Sequence, residues 1–440
     1  MGTATLTTHY NTLLDKIENR TATIGVIGLG YVGLPTAAHN VRKGYSVTGF
    51  DVSESKVESI NQGKNYIKDV NDDDLYQMVK NGELRATNDF TFIKDMDVIV
   101  MCVPTPIDEY KNPDLSFVQS ATEMIAPHVK KGTLVVFEST TYPGTTEEII
   151  VPVLEREGHV IGEEVFVAYS PERVDPGNEK FGLSNTPKVV GGITTHCTEL
   201  AGAYVGETAQ LVSDVKVAEM SKVYENTFRY INMALVNETA KICHKMGIDI
   251  WEVVEASKSK PYGFMPFYPG VGVGGHCIPV DPYYLTYKAK EYGEKTEMIE
   301  LSGKINDSMR DFVFYRIMEL LNEQGKSLKD SRVTVLGVAY KEDIDDVRES
   351  PVIPFLEKLT AHCSNVNVID PYVQQFRVNG EQYSPVEYDR TIIEESDIVV
   401  LATSHQTFNY GEIADHASIV LDTKNGFAKQ GINAPHIHKL

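Results

Sequence analysis

The sequence predicts an α/β protein in which two doubly wound halves are joined by a helical segment built on one long helix, and three observations lead there. Near the start, the short apolar run 22–27 gives way to a glycine-rich turn and then to a helix start at Leu34. Past Gly191-Gly192 the alternation of strand and helix stops, and residues 214–245 carry apolar side chains at near-helical spacing (Val217, Met220, Tyr224, Phe228, Ile231, Leu235, Ala240). At 330–337 another strand and turn open, so the first pattern repeats. Three regions are therefore expected, 1–210, 211–325 and 326–440, with an amphipathic lead-in helix over 1–20 outside the main domain.

Bulk properties narrow the function. A chain of 440 residues, 42% hydrophobic, can bury a large core. Its 41 basic and 62 acidic residues give a net charge of −21, which argues against nucleic acid or an anionic membrane as a general partner. No apolar run has the length of a membrane span, and the first residues lack a basic flank followed by an apolar segment, so a cytoplasmic protein is expected. The five cysteines (Cys102, Cys197, Cys243, Cys277, Cys363) stand singly with no C-x-x-C spacing, so neither a disulfide framework nor a metal site is indicated.

Taken in order, the first strand leads into Gly28-Leu29-Gly30-Tyr31-Val32-Gly33, a G-x-G-x-x-G fingerprint between strand and helix. The first glycine permits the tight turn, the second the approach of a pyrophosphate, and the third close helix packing, while the helix N-terminus meets the phosphates. A second strand over 46–50 ends at Asp51, whose carboxylate can accept from both hydroxyls of a ribose and would repel a 2′-phosphate. This order and spacing describe a Rossmann-like unit selective for NAD. Strands over 97–103 and 133–137 leave at their C-terminal ends the loops Pro104-Thr105-Pro106 and Glu138-Ser139-Thr140-Thr141, on the edge where open α/β sheets bind ligands. Cys102, inside its strand, belongs to the core. The strand over 165–169 exits into Ser170-Pro171-Glu172-Arg173, where Glu172 serves either as a site carboxylate or as half of a surface ion pair with Arg173.

The long helical segment suits a domain spine or a dimer seam. Lys222 and Asn226, four residues apart, project side by side, and Lys222 lies in a mainly apolar stretch. Beyond it comes a glycine-dense loop, Phe267-Tyr268-Pro-Gly270-Val-Gly-Val-Gly274-Gly-His276-Cys277, followed by Ile-Pro-Val-Asp281-Pro282. Asp281-Pro282 reads as an N-cap and N1 pair opening a helix over 283–292, with a further helix over 296–324. A cysteine just ahead of a helix N-terminus is favoured as a thiolate nucleophile, and the alternative is a small buried hydrophobe. Strands over 366–369, 397–401 and 417–421 complete the second half. Its first turn, Gly337-Val-Ala-Tyr-Lys341, lacks the second and third glycines, so it suits a mononucleotide rather than a dinucleotide, with Arg348 near a helix start where phosphates are welcome.

The ordered set Gly28-Leu-Gly-Tyr-Val-Gly-Leu-Pro35, Cys102-Val-Pro-Thr-Pro106, Ser139-Thr140, Ser170-Pro-Glu172, Lys222 with Asn226, Gly274-Gly-His-Cys277 with Asp281, and Gly337-Val-Ala-Tyr-Lys-Glu-Asp343 with Arg348 resembles the UDP-glucose/GDP-mannose dehydrogenase family over residues 21–428. Within it, Phe267-Tyr-Pro-Gly270 and His276-Cys-Ile-Pro-Val-Asp-Pro-Tyr283 are most similar to enzymes of UDP-N-acetylhexosamines, UDP-N-acetylglucosamine in particular. The resemblance implies a four-electron oxidation of the sugar C6 alcohol to a carboxylate with two NAD. It implies that Gly28, Gly30, Tyr31, Val32, Gly33 and Asp51, with Pro104, Thr105, Ser139, Thr140 and Arg348, hold the cofactor. Lys222, Asn226 and Asp281 would share the base role, Cys277 would carry a thiohemiacetal and then a thioester, and Glu172 or Asp281 would assist hydrolysis, with Thr140 positioning water or Glu172. Substrate would meet Glu172, Arg173, Lys222, Asn226, Phe267, Tyr268, Gly270, Gly274 and Lys341.

His276 is read as a loop hydrogen-bonder or a proton relay, and the group that meets the C2 substituent is not legible. UDP-N-acetylmannosamine and UDP-glucose are the alternative substrates. A one-step hydroxy-acid dehydrogenase and a non-catalytic NAD-sensing protein are the rival readings, and neither calls for a thiol. The long helix and the resemblance together suggest a homodimer.

Overall fold

Along the strands of the N-terminal half, successive side chains enter two separate apolar clusters. Ile24, Val26, Val98, Val100, Leu134 and Val136 fill one, and Ile27, Ile99, Met101, Val135 and Phe137 fill the other. A parallel strand covered on both faces sends alternate residues to opposite sides, which is why its sequence reads as an uninterrupted apolar run. The computed structural model describes residues 2–67, 70–108, 110–173 and 180–440. They form two compact units, Met1–Glu225 with Tyr283–Gly293, and Asn226–Pro282 with Glu294–Leu440. Residues of the expected middle region 211–325 contribute to both units.

The first unit holds β1 (Thr23–Ile27), β2 (Ser46–Phe50), β3 (Leu84–Thr87), β4 (Val98–Met101), β5 (Thr133–Phe137), β6 (Val165–Tyr169), β7 (Lys188–Gly192) and β8 (Ala209–Leu211). They lie in the order β3-β2-β1-β4-β5-β6-β7-β8, parallel except where β6 meets β7. The strand order reverses between β1 and β4, so the loops after both strands flank the switch point at which such sheets bind dinucleotides. The lead-in helix, Gly2–Glu18, is not outside this domain: Leu13 and Ile17 are buried in the first cluster, and Lys16 pairs with Asp97 at 2.8 Å.

In the second unit, β9 (Arg332–Leu336), β10 (Asn365–Ile369), β13 (Ile398–Leu401), β14 (Val420–Asp422) and β15 (Ile437–Lys439) form a parallel sheet in the order β10-β9-β13-β14-β15. A hairpin of β11 (Phe376–Val378) and β12 (Glu381–Tyr383) stands apart from it. Both units are thus Rossmann-like, as the sequence predicts.

The central helix runs Val215–Met246. Five of the seven residues of the apolar stripe legible in the sequence face outward: Val217, Met220, Tyr224, Phe228 and Leu235 are exposed, Ile231 is half-buried, and Ala240 is buried together with Ala218, Lys222, Val223, Asn226, Ala234 and Asn237. The helix expected over 296–324 is two, Glu297–Asp307 and Met309–Glu323, separated at Ser308. None of the helices among the described residues is long and apolar enough to cross a membrane.

Candidate active site

The glycine turn of the first unit is shaped from within. Gly28 has φ +86°, and a side chain there would lie 2.8 Å from the Cys102 carbonyl oxygen. At Gly33 a Cβ would stand 1.7 Å from the Gly28 carbonyl oxygen, so the helix Gly33–Arg42 can begin this close to the turn only with glycine. Gly30 differs: a Cβ there would meet no protein atom within 4 Å, which leaves its backbone open to a ligand. Tyr31 is exposed and Val32 half-buried at the helix start, and the Tyr66 hydroxyl donates to the Leu29 carbonyl at 2.7 Å. Asp51, buried at the end of β2, accepts from the Leu29 N–H at 2.9 Å, from the Ser53 N–H at 2.9 Å, and from Lys56 at 3.2 Å. A carboxylate offers about four acceptor positions, so one remains for a ribose hydroxyl. The turn, the open face at Gly30 and the acid beside it fit a dinucleotide.

On the same edge, the Ser139 hydroxyl donates to the Val103 carbonyl at 2.7 Å and ties together the loops after β4 and β5. Pro104 is exposed in the first of these loops, and Thr140 is half-buried in the second. The Thr105 carbonyl accepts from the Tyr284 hydroxyl. Glu172 and Arg173 do not pair with each other. Arg173 bridges Glu225 at 2.7 Å and donates to the Pro187 carbonyl at 2.9 Å, while Glu172 lies 3.7 Å from the Lys188 ammonium. Lys222 is buried on the central helix, one turn before Asn226 on the same face.

In the second unit, the Asn226 carboxamide donates to the Asp281 carboxylate at 2.5 Å, and both residues are buried. Asp281 is the first residue of the helix Asp281–Glu291 rather than the cap ahead of it. Its own N–H donates to the Cys277 carbonyl at 2.8 Å, which closes a turn over 278–280 just ahead of that helix. Of the five cysteines, Cys277 alone is partly exposed and the other four are buried. That contrast favours the nucleophile over the buried-hydrophobe reading.

The glycines ahead of it admit the protein's own chain. A Cβ at Gly274 would stand 2.7 Å from the Pro351 ring and 2.8 Å from Tyr340, and one at Gly275, where φ is +91°, would lie 3.0 Å from the Tyr340 ring. The loop is thus pressed against the segment that contains Lys341, itself half-buried. Phe267 packs edge-on to Phe228 at 6.0 Å, and Tyr268 stacks on Trp251 at 5.8 Å with its hydroxyl donating to Glu255 at 2.6 Å. Arg348 is not at a helix start. It lies before the helix Val352–Thr360 and grips Asp346 in a two-pronged pair, 3.0 Å from Nε to Oδ1 and 2.6 Å from Nη2 to Oδ2.

Two residues escaped the sequence reading. Asn237, fully buried, accepts from the Gly270 N–H at 3.2 Å and donates to Asn306 at 3.0 Å, so it hangs the cysteine loop from the central helix. It lies eleven residues after Asn226, three turns along the same face, and that spacing was the available signal. Lys424, just past β14, brings its ammonium to 2.9 Å from where a Gly270 Cβ would stand, and burial lowers its pKa. No spacing in the sequence links 424 to 270.

The acid that closes β2 has a counterpart in the second unit. Asp370, past the end of β10, accepts from the Val338 and Ala339 N–H groups as Asp51 does from Leu29, and also from Tyr372, Val373 and the buried His405. With its acceptor positions taken, Asp370 has none for a ribose, which accords with a turn that holds no dinucleotide.

A dinucleotide fingerprint at a switch point, a partly exposed cysteine ahead of a helix and a buried Asn–Asp pair define an NAD-dependent dehydrogenase. Three family models match in sequence order: the NAD binding domain of the UDP-glucose/GDP-mannose dehydrogenase family over residues 22–206, its central domain over 216–308 and its UDP binding domain over 334–429. The chain belongs to this family and is an NAD-dependent UDP-sugar 6-dehydrogenase. It is 37% identical over 396 residues to the UDP-N-acetyl-D-glucosamine 6-dehydrogenase of Salmonella typhi, covering 88% of this chain and 90% of that protein. With Protein CapL of Staphylococcus aureus it shares 38% over 412 residues, 91% and 95% of the two chains. Among solved structures, the UDP-D-ManNAc dehydrogenase of Pyrococcus horikoshii aligns with a TM-score of 0.85 at 32% identity, covering 95% of this chain and 98% of that one. These relatives support activity on a UDP-N-acetylhexosamine.

Proposed function

We propose that the substrate is UDP-N-acetylglucosamine and that its C6 alcohol becomes a carboxylate through a thioester on Cys277. The observation that carries the mechanism is the partly exposed thiol of a residue whose carbonyl accepts from the Asp281 N–H and closes the turn ahead of the helix. When bound, NAD supplies the hydride acceptor for each of the two oxidations. The alcohol proton passes to the group formed by Lys222, Asn226 and Asp281, in which the lysine ammonium also steadies negative charge on oxygen. The Cys277 sulfur then adds to the aldehyde carbon, forming a C–S bond while the carbonyl oxygen takes a proton. Oxidation of this thiohemiacetal leaves a thioester. Water attacks the thioester carbonyl and gives its proton to Glu172, the C–S bond breaks, and the thiolate leaves a carboxylate behind. Thr140 orients that water or Glu172. NAD contacts are assigned to Gly28, Gly30, Tyr31, Val32, Gly33, Asp51, Pro104, Thr105, Ser139, Thr140 and Arg348. Substrate contacts are assigned to Arg173, Phe267, Tyr268, Gly270, Gly274 and Lys341, with Lys424 added as a cation for the diphosphate.

Support for the glucosamine epimer is the 37% and 38% identity to two enzymes of that name, against 33% to 35% to UDP-N-acetyl-D-mannosamine dehydrogenases. An NADH assay with UDP-N-acetylglucosamine, UDP-N-acetylmannosamine, UDP-N-acetylgalactosamine and UDP-glucose tests it. The highest kcat/KM is expected with the first, and a preference for any other overturns the epimer.

The protein is also proposed to be a homodimer joined along the central helix. The outward stripe Tyr224, Leu235, Ile242 and Met246, each more than half exposed at 64%, 60%, 53% and 65%, is the apolar face that supports this reading.

A further inference from the structure

One turn ahead of Lys222 the central helix buries a second charged residue, Glu219, which the chemistry above does not use. Glu219 is fully buried and forms no ion pair among the described residues. Its carboxylate is filled instead by the segment after β5. Oε2 accepts from the Gly144 N–H at 2.5 Å, and Oε1 accepts from the Thr146 N–H at 2.9 Å and the Thr146 hydroxyl at 2.7 Å. Gly144 and Thr146 stand where that segment enters a helix, the wide turn Thr146–Ile150 running on into Val151–Arg156. The first N–H groups of a helix have no partner within it, and a neighbouring side chain ordinarily supplies one. Here the acceptor comes from another element, 73 residues along the chain. Burial outweighs the three hydrogen bonds and raises the Glu219 pKa from 4.5 to about 7, so the fold keeps an acid here against its desolvation cost. An aliphatic side chain would avoid that cost and would take this acceptor from both N–H groups.

Both ends of this link lie close to residues assigned above. Lys222 follows Glu219 by three residues on the same buried face of the helix. On the other side, Ser139 and Thr140 lead into Gly144 through a turn that is closed on itself. The Thr141 and Thr145 hydroxyls share a hydrogen bond at 2.5 Å, and the Tyr142 carbonyl accepts from the Thr145 N–H at 3.2 Å and from the Thr145 hydroxyl at 2.8 Å. Thr141, Thr145 and Thr146 are fully buried. Ahead of the turn, Ser139 is tied to the Val103 carbonyl. A stiff turn held at its far end by one carboxylate is thereby fixed against the stretch of helix that presents Lys222.

We propose that Glu219 is a positioning residue that sets the Lys222 ammonium in place relative to the Ser139–Thr140 loop, and so aligns the substrate alcohol with the cofactor for hydride transfer. The proposal rests on the reading of Lys222 as part of the base group and of Ser139 and Thr140 as cofactor contacts. It acts through geometry: Glu219 itself touches neither substrate nor cofactor.

The test is a single turnover followed by NADH absorbance in stopped flow, with NAD saturating, enzyme in saturating excess over UDP-N-acetylglucosamine deuterated at C6, and a pH on the alkaline side of neutrality. With all the sugar bound, the rate constant does not depend on the fraction of enzyme that is folded, so a merely structural role moves Tm and leaves the rate constant alone. Glu219→Gln keeps the size of the side chain but has one acceptor oxygen, so its NH2 faces the N–H of Gly144 or of Thr146, donor against donor. It should lower the rate constant by roughly tenfold or more, the scale of effect that a misplacement of about 1 Å produces. Glu219→Asp keeps the charge, shortens the reach by one methylene and should lower the rate constant as well. Lys216→Ala removes an exposed pair with Glu147, 2.8 Å apart, between the same two elements, and should keep the wild-type rate constant. If Glu219→Gln does not fold, Glu219→Asp decides alone: a lowered rate constant supports the proposal and a wild-type one overturns it. A wild-type rate constant in folded Glu219→Gln, or an equal fall in Lys216→Ala, overturns the proposal and leaves the assignments of Lys222 and the loop intact. A wild-type rate constant in Lys222→Met, or a wild type that forms no NADH from this sugar, overturns both.

Discussion

The Asn226 carboxamide donates to the Asp281 carboxylate at 2.5 Å, and through this bond the central helix grips the turn that begins at Cys277. Replacing Asp281 by Asn keeps the size of the side chain and removes its charge. A general base contributes roughly 100-fold or more to a proton transfer, so Asp281→Asn should lower kcat by about that factor with little change in KM. Steady-state kinetics check this, and a kcat within a few-fold of wild type would remove Asp281 from the base group.

Gly30 and Gly33 should separate cofactor binding from folding. At Gly33 a Cβ collides with the Gly28 carbonyl at 1.7 Å, so Gly33→Ala must displace the helix or the turn and should lower Tm as well as NAD affinity. At Gly30 the same change meets no protein atom, so Gly30→Ala should leave Tm unchanged while weakening NAD. Calorimetric titration with NAD beside a thermal melt reads both, and equal NAD affinity in Gly30→Ala and wild type would show that the turn does not face the pyrophosphate.

Asp370 gives stability a definite pH dependence. Burial alone would raise its carboxyl, but the hydrogen bonds from His405 and from the Val338 N–H overcome this and bring the pKa from 3.8 to about 2. Because the Asp343 N–H donates to His405 Nδ1, the proton of the neutral ring is on Nε2, facing Asp370. A depressed carboxylate stabilises the fold above its unfolded pKa, and the contribution is lost as pH falls through the folded pKa, here between 3.8 and about 2. The shift corresponds to about 2 kcal/mol. Urea titrations should show Asp370→Asn less stable at neutral pH, with a shallower loss across that acid window than wild type. Parallel losses in both proteins would assign the acid sensitivity elsewhere.

The homodimer is tested on the outward stripe. Tyr224→Glu with Leu235→Glu places two charges where an apolar seam is proposed, so sedimentation should change from dimer to monomer. A wild-type monomer, or a double variant that remains a dimer, would refute the central-helix seam.

Local spacing carried much of this protein. Gly28, Gly30, Gly33 and Asp51 could be read because a tight turn, an open approach and an acid at the next strand's end depend on residues close in sequence. The central helix was legible as a helix, but not which side faces inward: its most apolar stripe is exposed, and the buried face is marked instead by Lys222, Asn226 and Asn237. The strands β3, β7 and β8 went unread. β3 is four residues with alternating exposure, β7 ends in two glycines, and β8 is three residues with no buried side chain. The partners of Glu172, Arg173 and Arg348 were hidden for another reason. Each had an opposite charge or a helix start nearby in sequence, but the fold gave Glu172 the ammonium of Lys188, Arg173 the carboxylate of Glu225 and Arg348 the carboxylate of Asp346.

The thiol of Cys277 is tested most directly by counting NADH and carboxylate formed per UDP-N-acetylglucosamine in wild type and Cys277→Ala. Two NADH and one carboxylate per sugar are expected from wild type, with carboxylate lost in the variant. Carboxylate formed by Cys277→Ala at the wild-type rate would contradict a covalent route through that sulfur.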